Sequence, residues 1–201
     1  MEVEEFVRSP SQQAFADCEK ASGNLGVWSS VRAHLLTYLE GGVLPWRQEG
    51  WPLPPTSLDA LARSPRQAFP MVDVLIEIAL HEKDPERVLY WYDRRPKTQF
   101  GWLRVDGDRI ATAVEAYAPD RAVAIWKSKA ESLIAQVSPS AYEEAARYLR
   151  KAGAVLVREA RQQEWTRYLQ DLRDTHARKR RLVEILDLLI RKPILAKKPE
   201  S

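Results

Sequence analysis

Three side chains in the middle of the chain have the types and the spacing of metal ligands. Asp73, Glu77 and His81 lie four residues apart, so on a helix they would line one stripe and offer two carboxylates and an imidazole. A structural zinc site normally needs four ligands, and no second pair is evident in the sequence. We therefore interpret these residues as the solvated edge of an apolar helix, and we expect no metal ion.

Two histidines and the single cysteine are further candidates for acid–base or nucleophilic chemistry. His34 lies at helical spacing from apolar residues and His176 lies on an apolar seam, so each is expected to be a partly buried structural histidine. Cys18 has no adjacent histidine in the sequence, which favours ordinary packing over an activated thiolate. A single cysteine also excludes an internal disulfide and a zinc site built from several cysteines.

The acidic turn Asp106-Gly107-Asp108 resembles the start of a calcium loop. Ile110 and Ala111 follow where further oxygen ligands would be needed, so we interpret the turn as a helix cap. The chain contains no phosphate-binding glycine loop, nucleophile elbow or His-Glu-x-x-His motif. We expect a protein that is not an enzyme and that has no catalytic residue, no cofactor and no evident small-molecule substrate.

Basic residues are concentrated near the end of the chain. Residues 1–146 hold 16 basic and 21 acidic side chains, whereas residues 147–201 hold 15 basic and 7 acidic ones. A basic region of this kind suits nucleic acid or an acidic protein surface. Two ion pairs are predicted, Asp174 with Arg178 and Arg180 with Glu184. The candidate nucleic-acid-binding residues are Arg173, Arg178, Lys179, Arg180 and Arg181.

The segment from Gln163 to Ile190 repeats apolar residues every seven positions, with a polar break at His176 and Lys179. The part after the break has an apolar stripe of its own. We expect this outer part to project and to dock a partner protein or a second copy of the chain. The residues predicted to form this surface are Leu182, Leu186, Leu189 and Ile190.

Helices must position all of these side chains. Pro85 and Pro119 each open an acidic and then apolar segment, and they lie 34 residues apart, which is the period of a tetratricopeptide unit. Asn24 is predicted to cap a helix that ends at Gly41-Gly42, and Ser140-Ala141-Tyr142-Glu143 is predicted to form a capping box. The aromatic side chains at helical spacing, among them Trp91, Tyr92, Trp102, Trp126 and Trp165, are expected to pack in the core.

These signals predict an all-α protein of stacked antiparallel helical hairpins, a tetratricopeptide-like α-α superhelix. With 201 residues and 45% hydrophobic content the chain suits one globular domain. Its predicted parts are an N-terminal helical cap (1–42), an ordered connector rich in proline and tryptophan (43–69), the hairpin array (70–190) and a basic flexible tail (191–201). Trp46 and Trp51 are expected to dock onto the helices. The acidic start, the low cysteine content and the short apolar stretches favour a cytoplasmic protein.

Four segments of the chain resemble the C-terminal helical region of prokaryotic SWIM zinc-finger proteins. They are Trp51-Pro52-Leu53-Pro54, Phe69-Pro70-Met71-Val72-Asp73, Tyr142-Glu143-Glu144-Ala145-Ala146-Arg147-Tyr148-Leu149, and Glu164-Trp165 through Arg178-Lys179-Arg180. The zinc finger of that family needs a Cys-x-Cys pair followed by Cys-x-His, which this chain lacks. The resemblance therefore implies a helical, associating, intracellular module that is a portion of a longer protein or a relative without the finger, and it transfers no DNA-binding role.

We expect a non-enzymatic helical scaffold that mediates protein–protein association or self-association. The alternative is a nucleic-acid-binding accessory module that uses the basic C-terminal helix and the tail.

Overall fold

The chain is built from α-helices. The computed structural model describes residues 2–54, 68–95 and 105–191, and these ranges contain ten α-helices and no strand. The all-α class is therefore confirmed. The chain divides into two compact units, Met1–Val105 (unit 1) and Asp106–Ser201 (unit 2). Their boundary lies inside the predicted 70–190 array, whose limits stay a prediction. Residues 55–67 of the connector and 192–201 of the tail lie outside the described residues.

The described part of unit 1 contains helices α1 to α5. They span Glu2–Arg8 (α1), Gln12–Gly23 (α2), Trp28–Gly41 (α3), Val72–His81 (α4) and Pro85–Arg94 (α5), with one 3₁₀ turn at Pro45–Arg47. Helix α2 contacts α1, α3 and α4, while α4 contacts α3 and α5. Phe6, Phe15 and Leu35 are completely buried, so the interior of this unit forms where α1, α2 and α3 meet.

Local capping explains where several of these helices begin and end. The Ser11 hydroxyl accepts a hydrogen bond from the Ala14 amide at 3.2 Å and caps α2, and Asp84 caps α5 in the same way through the Arg87 amide at 3.0 Å. Helix α3 ends at Gly42, which has a φ of 76°. A Cβ on Gly42 would also lie 2.8 Å from the ring of Phe69, so only glycine fits this position.

Unit 2 contains helices α6 to α10 in its described part. They span Gly107–Val114 (α6), Pro119–Ile134 (α7), Pro139–Arg158 (α8), Gln162–Thr175 (α9) and Arg180–Arg191 (α10). Helix α8 is central because it contacts α7, α9 and α10. Its buried face carries Ala145, Ala152 and Gly153, whose small side chains let neighbouring helices approach closely.

The two prolines of the 34-residue repeat open α5 and α7, as predicted. Helices that are consecutive in the sequence pack against each other within each unit, α4 with α5 and α6 with α7. This pairing is compatible with stacked hairpins. The tetratricopeptide-like superhelix itself stays a prediction.

Two predicted caps are wrong. Asn24 ends α2, and α3 begins at Trp28 without a side-chain cap. The cap of α8 is Ser138, two residues before the predicted Ser140, because Pro139 occupies the first turn and the Ser138 hydroxyl accepts from the Ala141 amide at 3.2 Å. Ser140 is therefore inside the helix and does not cap it.

The polar break at His176 is an interruption of the helix. Helix α9 ends at Thr175 with His176 as its C-cap, and α10 starts at Arg180. Helix α10 contacts both α8 and α9. The expectation that the outer part projects is therefore wrong, since α10 packs back against its own unit.

None of the helices in the ranges that the structure describes has the length and the apolar character needed to cross a membrane.

Candidate functional site

Unit 1 contains a partly open, mostly apolar cleft of about 300 Å³ between α1, α2 and the segment that follows α3. We call it the α1–α2 cleft. Its lining comes from three separate stretches of sequence and includes the acidic residues Glu2 and Glu4 of α1. The lining residues are Glu2, Val3, Glu4, Cys18, Ala21, Ser22, Leu25, Trp46, Trp51, Leu53 and Pro54.

Helical spacing explains the wall that α2 contributes. Cys18, Ala21 and Ser22 lie three and four residues apart, so they share one face of the helix. Leu25 follows the end of α2 and extends the wall into solvent. With 67% of its surface exposed, it is the most exposed large apolar side chain among the described residues.

The connector after α3 forms the opposite wall. Trp51 packs edge-on against His34 of α3, with ring centroids 5.4 Å apart. The Gln48 side chain donates hydrogen bonds to the carbonyl oxygens of His34 at 3.0 Å and Val43 at 2.8 Å. Docking of Trp51 onto the helices is therefore confirmed. These contacts hold the tryptophan segment in place beside the cleft.

The polar groups in the cleft wall do not form a catalytic set. Burial, together with the nearby charges of Glu2 and Asp17, raises the pKa of Cys18 to about 12. The hydroxyl of Ser22 donates to the Cys18 carbonyl oxygen in its own helix. No base activates either nucleophile in the described residues, so the geometry suits the burial of apolar groups and not covalent chemistry.

One hydrogen-bond donor in the cleft wall has no partner. The indole Nε1 of Trp46 is buried and meets no acceptor within the described residues. A buried N–H without an acceptor costs about 1–3 kcal/mol.

The residues predicted to dock a partner through α10 lie mainly inside unit 2. Leu182 and Leu186 are completely buried and Leu189 is 7% exposed. Ile190 is half-buried. These leucines pack within the unit, so they do not present the exposed surface that was expected. Their docking role stays a prediction, and it would require α10 to leave α8 and α9.

Ion pairs on both sides of the basic run also hold α10. Arg173 contacts Asp187 at 2.7 Å, and Arg181 contacts Glu143 of α8 at 2.8 Å. The Lys179 ammonium donates to the Ile134 carbonyl oxygen at 3.1 Å. Three of the five candidate nucleic-acid-binding residues therefore have intramolecular partners.

The two predicted ion pairs of the basic run are wrong in their partners. Asp174 lies 3.6 Å from Arg173, and Glu184 lies 3.2 Å from Arg181. Arg178 and Arg180 are exposed and have no hydrogen-bond or ion-pair partner in the described part of the chain. These two arginines are the cations of the run that remain available to an external anion.

The structure does not assemble a metal site around Asp73, Glu77 and His81. Within the described residues no three ligating side chains gather, and His81 lies 3.5 Å from a carboxylate oxygen of Glu19. The ring nitrogens of His34 lie 2.7 Å and 3.0 Å from two backbone carbonyl oxygens. His34 is thus held by the backbone, in agreement with a structural histidine.

The acidic turn before α6 belongs to a network of charges that the sequence did not indicate. Asp106 caps α6, as predicted, and also pairs with Lys129 of α7. Asp108 accepts from the Trp126 indole at 2.8 Å and from the Lys151 ammonium at 2.6 Å. We call these five residues the α6–α8 network, because they join three helices.

The network lowers the pKa values of its carboxyl groups. Burial raises the pKa of Asp108, but the hydrogen bonds from Lys151 and Trp126 outweigh it, so this pKa lies below its ordinary value. The hydrogen bond from Lys129 lowers the pKa of Asp106. Burial lowers the pKa of His176, and the charge of Lys179 adds to that effect. Asp106 and Asp108 both have structural partners, which favours a role in stabilising unit 2.

The expected core positions of the aromatic side chains are largely confirmed. Trp91, Trp126 and Trp165 are 6%, 1% and 4% exposed. Tyr92 is half-buried beneath the guanidinium of Arg95, which lies 3.5 Å from the ring centroid, and Trp102 lies outside the described residues.

No protein-family model, curated protein or solved structure matches the chain. Its function is therefore inferred from its residues and their geometry.

Proposed function

We propose that the protein is a non-enzymatic helical scaffold that binds a segment of a partner protein in the α1–α2 cleft. One observation carries this proposal: several apolar side chains line a concave surface that the described residues leave open to solvent. Isolated exposed apolar residues are common on protein surfaces, whereas a concave group of them marks an interaction site.

The exposure of Leu25 supports a binding role for the cleft. This side chain contributes little to the folding of unit 1 because 67% of it is in contact with solvent. Burial of a leucine side chain by a partner would stabilise the complex by about 1.5–3 kcal/mol. The two tryptophans of the opposite wall supply the aromatic surface that is enriched at the centres of protein interfaces.

A peptide-display selection on the full chain tests this function. The library fixes two aliphatic positions and randomises the flanking residues. We expect enriched peptides that bind the wild type and fail to bind Leu25→Asp. Val43→Asp is the matched control, because Val43 is an exposed apolar residue of the same unit (46%) outside the cleft. If the enriched peptides bind Leu25→Asp as well as Val43→Asp, the cleft is not the binding site.

We also propose, from the four quoted sequence segments, a relationship to the C-terminal helical region of SWIM zinc-finger proteins. The single cysteine supports a cytoplasmic location. The 34-residue spacing of the two helix-opening prolines supports a tetratricopeptide-like arrangement of hairpins.

A second candidate function is nucleic-acid binding by unit 2. The exposed, unpaired side chains of Arg178 and Arg180 favour it, since arginine suits phosphate oxygens. We expect binding to a generic duplex or single strand to weaken steeply with salt. Arg178→Glu with Arg180→Glu should lower the salt slope by about two, while Arg167→Glu, an exposed arginine of α9 in the same unit, serves as the control. Binding that does not respond to salt would contradict this candidate.

A further inference from the structure

We propose that unit 2 binds double-stranded nucleic acid along a basic surface that continues from the turn between α9 and α10 onto the exposed stripe of α8. This inference rests on the second candidate function. It adds Arg147 and Arg150 to Arg178 and Arg180, and it names the duplex as the partner. We call these four residues the arginine surface. It is independent of the α1–α2 cleft.

Helix α8 carries two further arginines that no acid neutralises. Arg147 and Arg150 are exposed, and neither has a hydrogen-bond or ion-pair partner in the described part of the chain. The guanidinium of Arg147 lies 5.8 Å from the ring centroid of Tyr148, and this contact leaves its N–H groups available to an anion. Both arginines can therefore pair with phosphate oxygens.

A contact between α8 and α10 places the two pairs of arginines on one surface. Glu143, Arg147 and Arg150 lie four and three residues apart, so they share one stripe of α8. Glu143 pairs at 2.8 Å with Arg181, the residue directly after Arg180. With a rise of 1.5 Å per residue, the stripe continues for about 10 Å from Glu143 to Arg150. The basic run is thus extended along α8.

The turn before α10 is held at the same end of unit 2. The Lys179 ammonium donates to the Ile134 carbonyl oxygen, at the end of α7, at 3.1 Å. Its two neighbours, Arg178 and Arg180, are therefore held near the start of α8, which begins at Pro139. A surface that is ordered before binding loses less entropy when a ligand binds.

Positive charge prevails on this surface. The carboxylates close to it have partners within unit 2, which reduces their repulsion of an anion. They are Glu143 and Glu184, which both pair with Arg181, Asp174, which pairs with Arg173, and Glu144, which accepts from the Tyr148 hydroxyl at 3.4 Å. Unit 2 as a whole contains 19 basic and 14 acidic residues, a net charge of +5. Long-range attraction therefore favours a polyanion.

The surface lacks the aromatic groups on which single strands stack. In the described residues of α8, α9 and α10 no phenylalanine, tyrosine or tryptophan is exposed. Tyr142, Tyr148 and Trp165 are 5%, 3% and 4% exposed, and Tyr168 is half-buried beneath the ammonium of Lys127. Proteins that bind single strands stack bases on such rings. A duplex carries the higher density of phosphate charge, and phosphate contacts carry no sequence information. The surface therefore favours a duplex of any sequence.

Fluorescence anisotropy of a fluorescein-labelled duplex, measured with the full chain at several salt concentrations, tests this inference. Arg147→Gln with Arg150→Gln should lower the slope of log affinity against log salt by about two, because each lost phosphate contact removes about 0.9. Arg147→Lys with Arg150→Lys should keep the slope, because both charges remain. Arg167→Gln on α9 is the control. These positions are exposed, so the unfolding midpoints should stay at the wild-type value.

The outcomes separate this inference from the second candidate function. A slope that falls for Arg178→Glu with Arg180→Glu but not for the α8 pair would overturn the inference and leave that candidate standing. Equal affinity for a single strand of the same length, or unequal affinity for duplexes of unrelated sequence, would also overturn the inference alone. Binding without salt dependence would overturn both. Competition by polyglutamate as strong as that by unlabelled duplex would also overturn both, because the surface would then suit an acidic protein.

Discussion

The two units differ in the chemistry of their concave surfaces. The α1–α2 cleft of unit 1 is mostly apolar, whereas the groove along α9 in unit 2 is polar and is lined by Ala160, Gln162, Gln163, Thr166, Arg167 and Gln170. Each unit exposes three large apolar side chains in its described part. The number of exposed apolar residues therefore does not distinguish the units. Unit 1 differs because one of its exposed apolar residues, Leu25, borders an apolar cleft.

The units also differ in how charged groups are used. In unit 2, ion pairs join α6 to α8, α9 to α10 and α8 to α10, and the apolar side of α10 is buried. In unit 1, Glu82 forms ion pairs with Arg32 and Arg87, and none of these three residues lines the cleft. The apolar side of α10 is thus used within unit 2, whereas the α1–α2 cleft leaves apolar side chains of unit 1 open to solvent in the described residues.

The buried face of α10 should not tolerate a charge. Leu186→Asp should destabilise the chain by about 5 kcal/mol, because a cavity and a buried carboxylate act together. Leu188→Asp is the matched control on the same helix, since Leu188 is 55% exposed. Denaturant unfolding followed by circular dichroism measures both variants. An unfolding midpoint of Leu186→Asp equal to that of the control would show that α10 does not complete unit 2.

The reactivity of the Cys18 thiol measures whether the α2 wall of the cleft is closed to solvent in the free protein. Because burial raises its pKa to about 12, little thiolate exists near neutral pH. We expect labelling by a disulfide reagent to be about a hundredfold slower in the native chain than in denaturant. The time course of absorbance after mixing measures both rates. Equal rates would mean that the α2 wall opens readily in the folded protein, and the cleft would then not be a fixed feature of unit 1.

The α6–α8 network should contribute a smaller, pH-dependent stability to unit 2. Asp108→Asn removes the ion pair with Lys151 and should cost about 1–2 kcal/mol. Asp171→Asn is the control, since the exposed Asp171 side chain has no partner in the described residues. A carboxyl group whose pKa is depressed stabilises the fold above its ordinary value of 3.8 and loses this contribution as the pH falls through its folded pKa.

The pH series of unfolding free energies checks the sign of that effect. The wild type should lose more stability than Asp108→Asn when the pH is lowered below about 4. If both proteins lose stability in parallel, Lys151 and Trp126 do not depress the pKa of Asp108.

Signals within a few residues of each other predicted the helices well. The helix stop at Gly42 and the first-turn prolines at 85 and 119 act through neighbouring backbone groups, so sequence spacing is sufficient to find them. The capping box failed because Ser138 and Ser140 compete for the same helix start. Pro139 decides the outcome, since a proline without an amide hydrogen fits the first turn.

The position of an apolar stripe relative to the rest of the chain was not predictable in the same way. The pattern from Leu182 to Leu189 shows that α10 has an apolar face, but it does not show whether that face meets its own unit or a partner. The α1–α2 cleft brings together residues from three separated segments, and only tertiary contacts reveal it. The one local signal was the connector, where tryptophans lie between prolines that prevent a helix.

The exposed side chain of Leu25 should contribute little to the stability of unit 1. Leu25→Asp should change the unfolding free energy by less than about 0.5 kcal/mol, because the side chain is already in solvent and no packing is lost. Equilibrium unfolding beside the wild type and Val43→Asp measures this difference. A loss of several times that size would mean that the chain itself covers Leu25, and the cleft would then be part of the folding core. A negligible change together with lost peptide binding would assign the exposed leucine to recognition, because a side chain that does not stabilise unit 1 would be required by the complex.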